Sequence, residues 1–432
     1  MRILYLSYFF PPLGGPASIR NAKTVKYLQE LGATVDVITV TDIEYNTYDA
    51  SLEAETGSAK IFRAASWDLM SLLKKLSSKG KVNSQEIYFR SPENLKRILR
   101  GIHPIDDKIG WVYPAWKMGK DLLKQNIYDL IYVSCGPFSS ALAAYYLAKS
   151  SGIPFVIDYR DYWTLLSDYE RDITFLHKYL AQHWEKRILS SASLIVTATK
   201  GIGRDLCKQF GSWLQNKMLT VYNGWDERDF AGTKELNPVV RDHEKPFTIA
   251  YFGVIYARRS LKHLLEAMHQ LMKENRIPAG ITLDLYGNYY PETISQIETS
   301  GIAASVRIHT PLPHREALIA MQKADLLLLL INSSSPYGTL TSKIFEYLRS
   351  TRPILALAPA QGEAAELLNA CGHEYICAME STSAIADTIE LAWQQKDNPR
   401  AFTNPAEFER SHQLKSLYQR LETLFSVLSE SS

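Results

Sequence analysis

Along most of the chain, short runs of consecutive apolar residues alternate with longer segments whose apolar positions recur every three or four residues. The first run, RILYLSYF at 2–9, reads as a strand. After the turn PPLGGP comes ASIRNAKTVKYLQELG, where Ala22, Val25, Leu28 and Leu31 fall on one helical stripe and Gly32 supplies a stop. The alternation continues through TVDVITV, LIYVSC, a helix over 138–150, PFVIDY, a helix over about 170–190, LIVTAT, a short helix and LTVYNG. Apolar runs without in–out alternation belong to strands covered on both faces, the pattern of a parallel sheet with helices on either side.

The polar, aperiodic stretch at 233–246 breaks this rhythm and reads as a linker. The alternation then restarts with FTIAYFG, the helix SLKHLLEAMHQLMKEN, ITLDLYG, VRIHTP, DLLLLLI, PILALA and EYICAM, each followed by a helix. In the first of these helices Leu261, Leu264, Leu265, Met268, Leu271 and Met272 are spaced as core. The fold class expected is α/β, with two tandem doubly wound parallel-sheet domains facing a cleft. Their bounds are 1–232 and 247–405, with a helix over 406–432 packing back on the first domain. Ligands of such sheets sit outside the carboxyl ends of the strands.

Composition changes this picture little. The chain is 46% hydrophobic and 22% charged, with a net charge of +2, so it carries no nucleic-acid footprint. Its four cysteines are scattered without a CxxC, which suits a reducing compartment, and CGHEYIC at 371–377 lacks zinc-site spacing. No secretory signal opens the sequence, and the apolar segment at 130–148 is split by Gly136 and Pro137, so a cytoplasmic protein is expected. One segment stands apart. Residues 67–124 hold twelve Lys or Arg against six acids, with Trp67, Trp111 and Trp116 interleaved. It reads either as a solvated insertion or as a basic-aromatic surface for anionic lipid, which would make the protein peripheral on the cytoplasmic membrane face.

Four fragments at strand ends carry candidate chemistry. In PYGTLTSKIFEYLRS, Thr339, Thr341 and Ser342 offer hydroxyls at a helix start, Lys343 adds a cation, and Glu346 is placed to accept from a ribose diol. The same residues also suit a capped surface helix with an i,i+3 ion pair. YFGVIYARRS puts Gly253, Arg258 and Arg259 at another strand end, a second anion site or solvent-facing arginines. FFPPLGGPAS lets backbone approach a ligand at Gly14 and Gly15, but it is not a dinucleotide fingerprint. VIDYRDYW crowds Asp158, Arg160 and Asp161 at the end of a buried strand, where they are either functional or an internal ion pair. No D-x-D occurs, so no metal-bridged diphosphate is signalled.

At these fragments the chain resembles glycosyltransferase family 4, retaining enzymes of the GT-B fold, and in particular a subgroup that builds polysaccharide and lipopolysaccharide. FFPPLGGPASIR is similar to the family's N-terminal glycine loop, DYRDYW to a D-F-R-D-P-W stretch, LTVYNGWDERDF to the Asn-Gly segment before the hinge, and SKIFEYL to the donor helix. The family's E-x7-E pair is half kept: Glu346 matches the second glutamate, but Gly338 stands at the first. The resemblance implies a nucleoside-diphosphate-sugar donor and no cofactor or metal. The acceptor would be a glycan or a lipid-linked oligosaccharide. Gly14, Gly15, Gly253, Arg258, Arg259, Thr341, Ser342, Lys343 and Glu346 would bind donor. Asp158, Arg160 and Asp161 would face acceptor, and Asp161, Arg259 and Lys343 would serve catalysis. A sugar-nucleotide 2-epimerase, a binding homologue without transferase activity and a two-domain periplasmic binding protein are the alternatives.

Overall fold

The computed structural model describes residues 1–41, 43, 45, 48–67, 105–165, 175–231, 245–255, 259–278, 280–397 and 402–430. Most of the basic segment, most of the linker and Arg258 lie outside the described residues. The chain divides into two compact units, Met1–Tyr222 with Ser411–Ser432, and Asn223–Arg410.

The first unit is built on a seven-stranded sheet. Its strands are β1 (Arg2–Ser7), β2 (Thr34–Val40), β3 (Lys60–Ala64), β4 (Leu130–Cys135), β5 (Phe155–Tyr159), β6 (Leu194–Thr197) and β7 (Met218–Thr220), in the order β3-β2-β1-β4-β5-β6-β7. All pairings are parallel. Helices α1 (Pro16–Glu30), α2 (Val112–Gln125), α3 (Ser140–Ser151), α4 (Phe175–Ser191) and α5 (Lys200–Phe210) connect the strands. The order reverses between β1 and β4, which opens a crevice at their carboxyl ends. The loops carrying Gly14 and Gly15, after β1, and Gly136, after β4, flank that point.

In the second unit the strands are β8 (Phe247–Phe252), β9 (Ile281–Tyr286), β10 (Val306–His309), β11 (Leu326–Leu330), β12 (Ile354–Leu357) and β13 (Ile376–Cys377). They form one parallel sheet in the order β10-β9-β8-β11-β12-β13, whose switch point falls between β8 and β11. Its helices are α6 (Glu227–Phe230), α7 (Lys262–Lys273), α8 (Pro291–Glu298), α9 (His314–Lys323), α10 (Lys343–Arg349), α11 (Glu363–Ala370) and α12 (Thr382–Gln394). Leu264, Leu265, Met268 and Leu271 of α7 pack into the core as their spacing requires, whereas Met272 is exposed.

The last helix, α13 (Arg410–Glu430), packs Leu414, Leu417 and Leu421 into the cluster formed by Ile3, Tyr5, Val25 and Leu28 of the first unit. The basic segment needs correction at its C-terminal end. Residues 112–125 are an integral helix, not an insertion: Trp111 is fully buried, and Ala115, Gly119 and Leu122 face the core. Gly119 allows close packing on α3, since a Cβ there would meet Leu147 Cδ1 at 2.6 Å. No described helix is long and apolar enough to cross a membrane.

Candidate functional site

The second unit gathers four of the expected residues at the carboxyl end of β8. Gly253 follows the strand with φ +115°, and a Cβ there would lie 2.6 Å from Lys343 Nζ. The ammonium group therefore rests against bare backbone, 5.0 Å from the centroid of the Tyr251 ring. Beside it, a Cβ on Gly287 would strike Gly253 O at 2.4 Å, so glycine at 287 is what allows the two strand ends to approach closely. Lys343 is lowered to about 8, chiefly by burial and then by Arg259, with Glu346 partly opposing them. A cation desolvated beside a second cation is electrostatically costly, and an anion between them would relieve that cost.

Helix α10 is only seven residues long, so its macrodipole is small and the side chains supply most of the positive potential. Ser342 occupies the N-cap position without a side-chain cap bond. The hydroxyls of Thr339 and Thr341 are buried and lack hydrogen-bond partners among the described residues. A buried hydroxyl left unpaired costs free energy, and an oxygen-rich ligand would satisfy both. Arg258 lies outside the described residues. Gly338, at the position of the family's first glutamate, is buried.

Glu346 does not pair with Lys343. Its Oε1 is 2.9 Å from His314 Nε2, at the start of α9, while His314 Nδ1 lies 4.0 Å from Asp229 Oδ2 on α6. Arg349 on α10 in turn donates to both oxygens of Glu227, at 2.7 and 2.5 Å, which ties α6 to α10. His314 was not legible as a site residue. It stands 32 positions from Glu346, and HREALIA looks like any polar helix start.

In the first unit, Asp158 is not on the acceptor side. It is fully buried and accepts from Arg20 Nε and Nη2 at 3.0 and 2.8 Å. Arg20 also donates to the carbonyl of Val221 at 3.1 Å, so the pair joins α1, β5 and the chain after β7. Its signal was faint. Ser18, Arg20, Asn21 and Thr24 are polar residues on the buried side of α1, and a buried arginine requires an acid. Arg160 likewise points inward, donating to the carbonyls of Cys135 and Gly136 at 3.0 Å each.

Asp161 is different, being exposed at the end of β5, with Oδ1 accepting from the backbone of Tyr162. The loop behind it is firmly held. Tyr162 OH donates to Asp205 at 2.8 Å, Trp163 stacks on Phe138 at 5.1 Å, and Thr164 donates to Glu185. Glu185 is fully buried, accepts also from Tyr159 OH at 3.1 Å, and is pushed up to about 7 by burial. Gly15 caps α1 with φ +90° and faces open space, whereas Gly14 is buried.

Residues 18–229 match the family model described as Glycosyltransferase Family 4, in agreement with the resemblance carried by the motifs. No curated protein matches the chain. Among solved structures, the chain is similar to a sucrose-phosphate synthase from Thermosynechococcus elongatus, at 15% identity, a TM-score of 0.66 and full coverage of both chains. It is similar also to WaaG, a glycosyltransferase involved in lipopolysaccharide biosynthesis, at 13% identity and a TM-score of 0.54, covering 99% of this chain and 98% of that one. A UDP-GlcNAc 2-epimerase from Methanocaldococcus jannaschii aligns at 13% identity and a TM-score of 0.53, over 98% of this chain and all of that one. The two parallel-sheet units thus have the GT-B fold.

Proposed function

We propose, from the premise that residues 18–229 belong to Glycosyltransferase Family 4, that this protein transfers a sugar from a nucleoside-diphosphate sugar to a glycan or lipid-linked acceptor. The configuration at the transferred carbon is retained and no metal takes part. The carrying observation is the Lys343 ammonium, partly desolvated over Gly253 with Arg259 nearby. Charge grows on the diphosphate as the sugar–phosphate bond breaks, and two preplaced cations stabilise that charge more than the ground state. The orphaned hydroxyls of Thr339 and Thr341 complete the anion's hydrogen bonds. Asp161, exposed on its braced loop, positions the acceptor hydroxyl, and the departing phosphate takes its proton.

Assembly of cell-surface polysaccharide is the role that fits this chemistry, with the protein in the cytoplasm. A surface of the first unit suits attachment to the cytoplasmic membrane face. Trp67 and Tyr113 are exposed and stacked at 5.4 Å. A groove of about 520 Å³ between α2 and α3 is lined by Tyr113, Trp116, Tyr146 and Lys149. Lys120 lies over the Trp116 ring at 5.2 Å, and such rings with flanking lysines match anionic headgroups.

Thermal unfolding with a panel of nucleoside diphosphates tests the donor assignment, because a ligand of the folded state raises stability by mass action. Nucleotide release from the matching donor sugar, with and without acceptor lipid, then tests transfer. Release without any acceptor, with an epimerised sugar as product, would favour the 2-epimerase reading. Binding with no release under any acceptor would leave a binding homologue.

A further inference from the structure

Lys343 and Glu346 are opposite charges on one face of one helix turn, the spacing at which such residues normally pair. They do not pair here. Lys343 reaches over Gly253 and Tyr251, and Glu346 turns to His314, whose Nε2 sits 2.9 Å from Oε1. His314 is itself held in place: it opens α9, with Asp229 Oδ2 4.0 Å from its second nitrogen, and α6 is fixed to α10 through Glu227 and Arg349.

We propose that His314 is a positioning residue for nucleotide recognition. By donating to Oε1 it fixes the Glu346 carboxylate and leaves Oε2 to accept from a ribose hydroxyl, while keeping that carboxylate from neutralising Lys343. The inference rests on the reading of Glu346 as the ribose acceptor. A carboxylate has lone pairs enough for both partners, and a carboxylate already ordered loses less freedom when the sugar binds. Among the described residues, the carboxylates of Asp229 and Glu346 face the ring. On its own helix Arg315 reaches toward the carbonyl of Ala231, and Glu316 lies in the same turn.

The test is the ratio of affinities for a ribonucleoside diphosphate and its 2′- and 3′-deoxy counterparts, measured by titration calorimetry. UDP, GDP and ADP are the probes, and the one that most raises the melting temperature is carried forward. Two variants are compared with the parent protein. His314→Phe keeps a ring but removes the donor, and His314→Gln places an amide nitrogen near the position of Nε2. The parent should favour the ribose form by about tenfold, the worth of one hydrogen bond to a charged group. His314→Phe should lose most of that preference while binding the deoxy forms within about twofold of the parent, and His314→Gln should restore it. A merely structural role would weaken all forms together, and that result overturns the inference. An unchanged ribose preference in His314→Phe also overturns it, with the role of Glu346 intact. Failure of the parent to bind any of the three probes, or to distinguish ribose from deoxyribose, overturns the role of Glu346 and the inference with it.

Discussion

Replacing Lys343 with Met keeps most of the apolar stem and removes the charge, and its consequences for stability and for catalysis should run in opposite directions. The ammonium titrates at about 8 against an ordinary 10.5, chiefly through burial. A difference of about 2.5 units corresponds to roughly 3 kcal/mol of destabilisation when the group is charged. The variant forfeits the contact with the Tyr251 ring, worth about 1 kcal/mol. A net gain of about 2 kcal/mol follows at pH 7, or roughly 5 °C in the transition of the second unit. The pH dependence follows from proton counts. Between about 8 and 10.5 the unfolded chain holds a proton on Lys343 that the folded chain releases, so stability rises with pH across that window and falls as pH drops through it. Lys343→Met should lack this rise. Its turnover should nevertheless fall by about 10²-fold or more, as for loss of a preorganised charge-stabilising donor, with a smaller loss of donor affinity. Thermal unfolding from pH 6.5 to 10.5 and nucleotide-release kinetics measure both. A variant no more stable than the parent, with the same rise toward pH 10.5, would show that Lys343 is solvated. Unchanged turnover would remove it from the chemistry.

Three further outcomes are expected. Asp158→Ala should destabilise the first unit by about 3–5 kcal/mol in urea unfolding, because it leaves the Arg20 charge buried and unpaired; replacing both partners with apolar residues should cost much less. Glu185, pushed up to about 7 by burial, contributes stability that is complete below about 4.5 and lost as pH rises through about 7. In Glu185→Gln that slope should vanish and stability at pH 8 should rise by up to about 3 kcal/mol, as denaturation at a series of pH values would register. Binding to anionic vesicles should weaken as salt rises, and Lys120→Glu with Lys149→Glu should weaken it further; sedimentation with vesicles at low salt that recovers no parent protein would remove the membrane from the proposal.

Strands such as LIYVSC and DLLLLLI were legible because they are buried on both faces and needed no knowledge of their neighbours, whereas β3, partly exposed along most of its length, does not stand out in the sequence. Helix α2 was obscured by its outer face. Lys117, Lys120 and Lys124 dominate its composition, while of the residues it buries Ala115 and Gly119 are small and only Leu122 carries a clear core signal. The site separates in the same way. Gly253 and Lys343 could each be suspected from local chemistry, a glycine at a strand end and a lysine at a helix start, although an i,i+3 ion pair on a surface helix fits the lysine equally well. Asp158 could not be resolved, because its partner Arg20 is 138 positions away and a carboxylate at a strand end looks the same whether it faces ligand or core. Glu346 was misleading as to its partner: local spacing points to Lys343, and tertiary packing supplies His314 instead.

That separation of Lys343 from Glu346 has a consequence for binding itself. With its i+3 carboxylate held by His314 and Arg259 nearby, Lys343 is half deprotonated near pH 8. A diphosphate arriving beside it favours the charged form and should return its proton affinity toward the ordinary lysine range. Binding at pH 8 should therefore take up about half a proton, and binding at pH 6.5 almost none at this group. At pH 8 the phosphates are already fully ionised, their last pKa being about 6, so the uptake belongs to the protein. Calorimetric titration in two buffers of different ionisation enthalpy measures it directly. Lys343→Met should abolish the uptake, whereas Glu346→Gln should keep or enlarge it, since loss of the carboxylate lowers the lysine further. Proton release on binding, or an uptake that survives in Lys343→Met, would mean that the diphosphate does not lie against Lys343.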